Sequence, residues 1–208
     1  MDGTMAAVDA AGTMTAAPVD GGDGYRPPIS VTRAELLIDG GDDRFRQLIY
    51  ALFVTGSRFQ EVREAFGREI EVSGPQYFVL IAVARYHAAG GVGIGALADY
   101  LHVAAPHVTT EVGKLVDRGL LKKRPNPADR RRVLITLSTR GMAALEWLAP
   151  FRQHINNVLF EGFSREEFLT LTRLLDRFLT TTEHALDAVA DHERRRRRAR
   201  AEGARAAE

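Results

Sequence analysis

Cysteine is absent from all 208 residues. Its absence excludes disulfides, thiolate metal sites and thiol-based redox sensing, so any signal must be sensed by other chemistry. Long apolar runs are missing too. None approaches the roughly 20 residues that a membrane helix needs, and the N-terminus has neither the basic start nor the apolar centre of a signal peptide. A cytoplasmic protein without membrane contact is expected. There is no G-x-S-x-G elbow, phosphate loop or H-E-x-x-H pair, and the six His are scattered without metal-ligand spacing. The chain does not read as an enzyme, and neither cofactor nor metal is expected. Gly91-Val92-Gly93-Ile94-Gly95-Ala96 superficially matches the dinucleotide fingerprint G-x-G-x-x-G/A, but that motif must follow a strand, and the residues before it read as a helix end. A short strand from Val92 to Ile94, pairing with a later hairpin, is expected instead.

What is present is an ordinary globular composition, enough for one domain or two small ones. The net charge of +1 conceals an asymmetry. Asp2, Asp9, Asp20 and Asp23 lie in an N-terminal stretch without Lys or Arg until Arg26, whereas a central hairpin and the C-terminus are basic. Local charge matters more than the total for choosing partners.

The organising stretch runs from Leu97 to Leu137. Val108, Val112, Leu115 and Val116 recur at i, i+4, i+7 and i+8, one face of a helix spanning about Ala105 to Arg118. Pro106 suits its first turn and Gly119 the left-handed residue beyond its end. His107, Thr109, Thr110, Lys114 and Asp117 then look outward. Ile94, Leu97, Ala98 and Leu101 make a shorter helix upstream, and His102 to Ala104 leave room only for a tight turn, giving a helix-turn-helix. Downstream, Leu120 to Arg124 and Arg132 to Leu137 read as strands, with a turn from Pro125 to Asp129. Lys122, Lys123, Arg124, Arg130 and Arg131 make this hairpin basic. A helix-turn-helix followed by a basic hairpin is a winged helix, built to put its second helix in a major groove and its wing on the backbone or minor groove.

VTTEVGKLVDRGLLKKRPNPADRRRVLITLSTRG resembles the MarR family of bacterial regulators, in which a helix ending L-x-x-x-G-L/W-L/V leads to a P-N-P-x-D-R/K-R wing and a strand reaching L-S/T-x-x-G. The match is dense from Leu97 to Gly141. The resemblance implies a homodimeric, ligand-responsive transcriptional regulator, usually a repressor. It also implies that Asp129 braces Arg131, which enters the minor groove. The long extensions at both ends depart from the usual compact member.

Around this stretch further helices are expected. Phe45, Leu48, Ile49, Leu52, Phe53, Phe59, Val62 and Phe66 mark a first one from about Asp42. Ser73-Gly74-Pro75-Gln76 is a capping box opening a second, apolar nearly all round, which reads as a pillar between a DNA-reading lobe and a dimerisation lobe. Ser138 caps a fifth helix that Pro150 should kink. Ser164 and Glu167 form another capping box, opening a last helix whose Phe168, Leu171, Leu175, Phe178, Thr182, Ala185 and Val189 trace a helix-on-helix seam. More apolar surface results than one winged helix can cover, and homodimerisation is the natural outlet.

The expected fold is mainly α with a small β-wing. Residues 1–40 form a disordered extension, read as an uncommitted leader ahead of a partner-binding arm. Residues 42–192 form one domain, with a dimerisation lobe (42–72 and 139–192) and a winged-helix lobe (73–138). Residues 193–208 form a disordered basic tail, read as a solvated end ahead of a nucleic-acid arm.

The expected partner is double-stranded DNA carrying a pseudo-palindromic operator. His107, Thr109 and Thr110 are candidates for base edges, Lys114 for phosphate or guanine, Arg130 for phosphate, and Lys123 for a further DNA contact. An effector such as an aromatic acid is expected at the lobe junction, with Tyr77, Trp147 and Phe151 as walls and Arg58 or Arg63 as carboxylate partner. Core packing for those aromatics and solvation for those arginines is the plainer alternative. The rival functions are an architectural DNA binder or a protein-interaction module without effector, and basic residues on both wing arms favour nucleic acid.

Overall fold

The computed structural model describes residues 27–127, 129 and 131–205. The acidic leader as far as Arg26, the wing residues Ala128 and Arg130 and the last three residues lie outside them. By internal contacts the chain forms two units, one ending at Pro150 and one beginning at Phe151.

The first unit is built on an apolar helix that neighbours cover over most of its surface. Helix α1 (Asp43–Glu69) leads through a short elbow to α2 (Gly74–His87). The Ser73 hydroxyl accepts from the Gln76 N–H at 3.3 Å and the Gln76 side chain accepts from the Ser73 N–H at 3.2 Å, the expected capping box. Val79, Leu80, Ala82 and Val83 of α2 are all buried, and α2 packs against α1, α3, α4 and β2. It is therefore the pillar of the unit. Helices α3 (Ile94–Leu101) and α4 (Ala105–Asp117) are joined by a turn in which His102 adopts φ 52°, the left-handed conformation that ends α3.

Strands β1 (Leu121–Pro125) and β2 (Val133–Leu137) pair antiparallel, with Lys123 opposite Ile135. The expected strand from Val92 to Ile94 shrinks to a single bridge between Val92 and Ile135, because Gly93 is already the N-cap of α3. Gly91, at φ +112°, lies so close to β2 that a Cβ there would come within 2.5 Å of Thr136 and 2.7 Å of the Ile135 carbonyl. The glycines that mimic a dinucleotide motif thus follow a helix and a turn, and one of them serves close backbone approach.

Leu80, Leu97, Leu115, Ile135, Val83, Val108 and Val112 fill the core, each fully buried. Burial of a side chain of this size stabilises by about 1.5 to 3 kcal/mol. Helix α5 (Thr139–Leu159) starts at Ser138, whose hydroxyl accepts from the Gly141 N–H at 2.9 Å, and it continues through Pro150. The division of units falls there, and α2 packs on both α1 and the winged helix.

Residues 27–40 were expected to be disordered, yet the described part is tied to α1. Ser30 donates from its N–H and hydroxyl to the Asp42 carboxylate at 2.7 and 2.5 Å, and Arg46 donates to the Pro28 carbonyl at 2.6 Å. Two hydrogen bonds to one carboxylate and the Arg46 bridge supply what composition alone did not reveal.

In the second unit, Glu167 accepts from the Ser164 N–H at 2.8 Å and Ser164 accepts from the Glu167 N–H at 3.2 Å, opening α6 (Arg165–Arg205) as expected. This helix spans 41 residues and runs through the arginines, so the disordered tail expected from residue 193 is helical as far as Arg205. Arg, Ala and Glu are good helix formers, and Arg194 with Asp191 and Arg197 with Glu193 pair across single turns.

Candidate nucleic-acid interface

Helix α4 has two unlike faces. Val108, Val112 and Leu115 face the core with at most 1% exposure, while His107, Thr109, Thr110, Lys114 and Asp117 are exposed. The outward face carries the short polar side chains of Thr109 and Thr110. The Thr109 hydroxyl donates to the Ala105 carbonyl at 2.9 Å and the Thr110 hydroxyl to the Pro106 carbonyl at 3.0 Å. With their protons committed, both present lone pairs and a methyl group outward.

Lys114 is half-exposed, and its ammonium lies 2.8 Å from the Glu111 carboxylate. Glu111 was not foreseen at all. It is buried on the inward side of α4, and its second oxygen finds no hydrogen-bond partner in the structure. Its place at i+3 from Val108 puts it in the apolar stripe, but the polar letter hid it. The Lys114 charge is therefore paired with Glu111 in this structure.

The wing arms carry Lys122, Lys123 and Arg124, all exposed. Arg124 donates to the Gly90 carbonyl, which ties the first arm to the turn after α2. At the tip the Asp129 side chain holds the main chain of Arg131. Its carboxylate accepts from the main-chain N–H of Arg131 at 3.0 Å and lies 3.5 Å from the Arg132 guanidinium. The Arg132 N–H also donates to the Asp129 carbonyl at 2.9 Å. Asp129 thus braces the backbone at Arg131 and pairs with Arg132, and the exposed Arg131 side chain is not its ion-pair partner among the described contacts. Arg130 lies outside the described residues.

The effector candidates are not gathered into one described cavity. Tyr77 is buried, its ring 5.5 Å from that of Phe66. Arg63 lies 5.5 Å over the Phe78 ring, and its buried Nε has no hydrogen-bond acceptor in the structure. Arg58 is exposed, Trp147 is 74% exposed, and Phe151 belongs to the second unit. A cleft of about 530 Å³ lies instead between the start of α3 and the wing, lined by Ile94, Ala96, Arg132, Val133 and Leu134. Among the described residues no group of three or more His, Asp or Glu converges as a metal site would require, and no helix is long and apolar enough to cross a membrane.

Residues 70–132 match the model of the MarR family. The chain is 34% identical over 113 residues to the transcriptional activatory protein BadR of Rhodopseudomonas palustris, covering 52% of this chain and 65% of that protein, just under two thirds of its length. Among solved structures, Bordetella bronchiseptica BpsR, whose DNA binding is regulated by 6-hydroxynicotinic acid, matches at 25% identity with a TM-score of 0.53, over 62% of this chain and 90% of BpsR. A mutant of E. coli MarR complexed with operator DNA shares the fold at 23% identity and a TM-score of 0.56, over 66% of this chain and 96% of MarR. The fold those solved structures share with this chain is a winged helix with helices around it, and over residues 70–132 the chain is similar to the MarR family.

Proposed function

We propose that the protein is a homodimeric repressor that binds a pseudo-palindromic operator and releases it when a small aromatic acid binds. The observation that carries DNA reading is the sidedness of α4, buried aliphatics inside and His107, Thr109 and Thr110 outside, beside a wing that collects Lys122, Lys123, Arg131 and Arg132. In this reading α4 enters the major groove. The two threonines, already donating within the helix, accept from the amino groups of adenine or cytosine or touch the thymine methyl. Lys114 and Lys123 contact phosphate, Arg131 enters the minor groove, and Arg130 takes a phosphate.

Dimerisation is supported by large apolar side chains left in water: Leu48, Phe53 and Phe59 on α1, and Leu175, Phe178 and Leu186 on α6. Such surface on a single chain marks an association site. The aromatic-acid effector is supported by BpsR, whose DNA binding responds to 6-hydroxynicotinic acid. Activation is the second reading, favoured by the activatory role in the name of BadR.

Selection of bound fragments from genomic DNA, with the oligomer measured by light scattering, tests the proposal. A dimer enriching a palindrome with half-sites about 10 base pairs apart is expected. Monomers that enrich nothing would refute it. Transcription from the selected promoter with and without protein separates repression from activation.

A further inference from the structure

The apolar seam of α6 ends at Val189, but the helix does not. From residue 190 to Arg205 it continues for about 24 Å at 1.5 Å per residue, without one large apolar side chain. Arg194, Arg195, Arg196, Arg197, Arg198 and Arg200 are all exposed in this stretch. Five consecutive positions at 3.6 residues per turn point in five directions, so positive charge surrounds the helix instead of forming a stripe. Arg194 pairs with Asp191 and Arg197 with Glu193, which leaves Arg195, Arg196, Arg198 and Arg200 as the charges without an acidic partner among the described ion pairs.

This arrangement narrows the partner. A helix that lies on a membrane or in a protein groove needs an apolar face, and this one has none. Like charges three and four residues apart repel, so the free helix gains stability from a polyanion that neutralises them. The guanidinium matches phosphate bidentately and is more weakly hydrated than an ammonium. We infer that the arginine-rich end of α6 is a second DNA-binding element, which grips the phosphate backbone of duplex DNA without sequence preference and independently of the winged helix. It raises the affinity for any duplex, and not the preference for one.

The test compares the parent protein with the quadruple variant Arg195→Gln, Arg196→Gln, Arg198→Gln and Arg200→Gln. Glutamine is a good helix former and the two paired arginines remain, so helix content by circular dichroism should be kept. Anisotropy titrations of a random-sequence 30-base-pair duplex are run from 50 to 200 mM salt, beside RNA duplex of equal length and vesicles containing phosphatidylserine. Loss of about tenfold or more in affinity for random DNA is expected, with a salt slope shallower by about 2 to 4. The fragments enriched from genomic DNA should be unchanged, since the winged helix is intact; their loss in Arg131→Ala but not in the quadruple variant separates the two elements. An unchanged affinity and slope for random DNA would overturn the inference. So would a variant that loses only RNA or only vesicle binding.

Discussion

Arg118, which closes α4, donates from its guanidinium to the main-chain carbonyl of Glu71 at the elbow between α1 and α2. The Glu71 carboxylate lies a further 4.0 Å from the same guanidinium. Glu71 itself sits at φ 58°, a left-handed conformation that costs a non-glycine residue about 1 to 2 kcal/mol. The end of α4 is thereby fastened to the elbow that launches the pillar. Arg118→Ala is expected to cost no more than about 1 kcal/mol of stability, because both side chains are substantially exposed. Operator affinity should fall more than stability does. Glu71→Gly keeps the accepting carbonyl and relieves the left-handed strain, so it should leave operator binding unchanged. Thermal melts and operator titrations of the two variants check this, and equal losses in both would assign the effect to the ion pair instead of the carbonyl.

In the wing, Asp129→Ala removes the acceptor of the Arg131 N–H and the partner of Arg132. These groups are exposed, so stability should move by less than about 1 kcal/mol, while DNA affinity falls as the tip loses its shape. Arg131→Ala should weaken binding severely with the dimer intact and make the salt slope shallower by about 1. Arg132→Ala should fall between the two, since its pairing with Asp129 shapes the tip. An Arg131→Ala variant with unchanged Kd and salt slope would show that the wing stays off DNA.

The wing shows what a sequence discloses and what it withholds. Two strand-like runs around Pro125-Asn126-Pro127 announce a hairpin, because only a turn accommodates those residues, and Ser73 with Gln76 announces a helix start because the two satisfy each other's donors. Which arginine Asp129 pairs with was not legible, since Arg131 and Arg132 are adjacent and only the tightness of the turn separates them. Glu111 was hidden because a single carboxylate interrupts an apolar stripe without changing its period. The helical end of α6 was misjudged because a block of like charge ordinarily argues for a solvated coil, and the favourable helix propensities and the two single-turn ion pairs count against that argument.

Asp42 holds the segment around Ser30 and titrates accordingly. Hydrogen bonds from Arg46 and Ser30 keep its carboxyl well below the ordinary 3.8. A folded-state pKa below the unfolded one means that the contribution is fully present above the unfolded value and is lost as pH falls through the folded one. The Ser30 contact should therefore be constant from neutral pH to about 4 and weaken only in stronger acid. Exchange of the Ser30 amide followed by NMR against pH checks this. Asp42→Asn should speed that exchange at pH 7, and a protected Ser30 amide in the variant would show that other contacts hold the segment.

The exposed apolar seam of α6 makes a prediction about assembly. Phe178→Asp with Leu175→Asp places two charges where a partner helix would pack, and leaving charges unpaired in an interface costs several kcal/mol. The double variant should be monomeric by light scattering at concentrations where the parent is dimeric, and operator binding should fall with it, because two half-sites then have to be bound separately. A double variant that remains dimeric would remove this seam from the interface.

The effector proposal turns on Arg63. Its Nε is buried without an acceptor while its guanidinium lies over Phe78, an arrangement that a bound carboxylate beside an aromatic ring would complete. Tyr77 is packed against Phe66, so Tyr77→Phe should leave any ligand response intact. Trp147 is too exposed in the single chain to wall a pocket unless a second chain covers it. Operator titrations with 6-hydroxynicotinic acid, benzoate and salicylate should therefore show weaker DNA binding for the parent and for Tyr77→Phe, and a lost response for Arg63→Ala. A coupling of about 1 to 3 kcal/mol suffices to change operator affinity 5- to 150-fold. If Arg63→Ala responds as the parent does, the carboxylate is held elsewhere. Arg132, beside the apolar cleft between α3 and the wing, is then the next guanidinium to change. If no acid that stabilises the protein in a thermal melt alters operator affinity, the repressor has no effector of this class, and a constitutive DNA binder is the reading that remains.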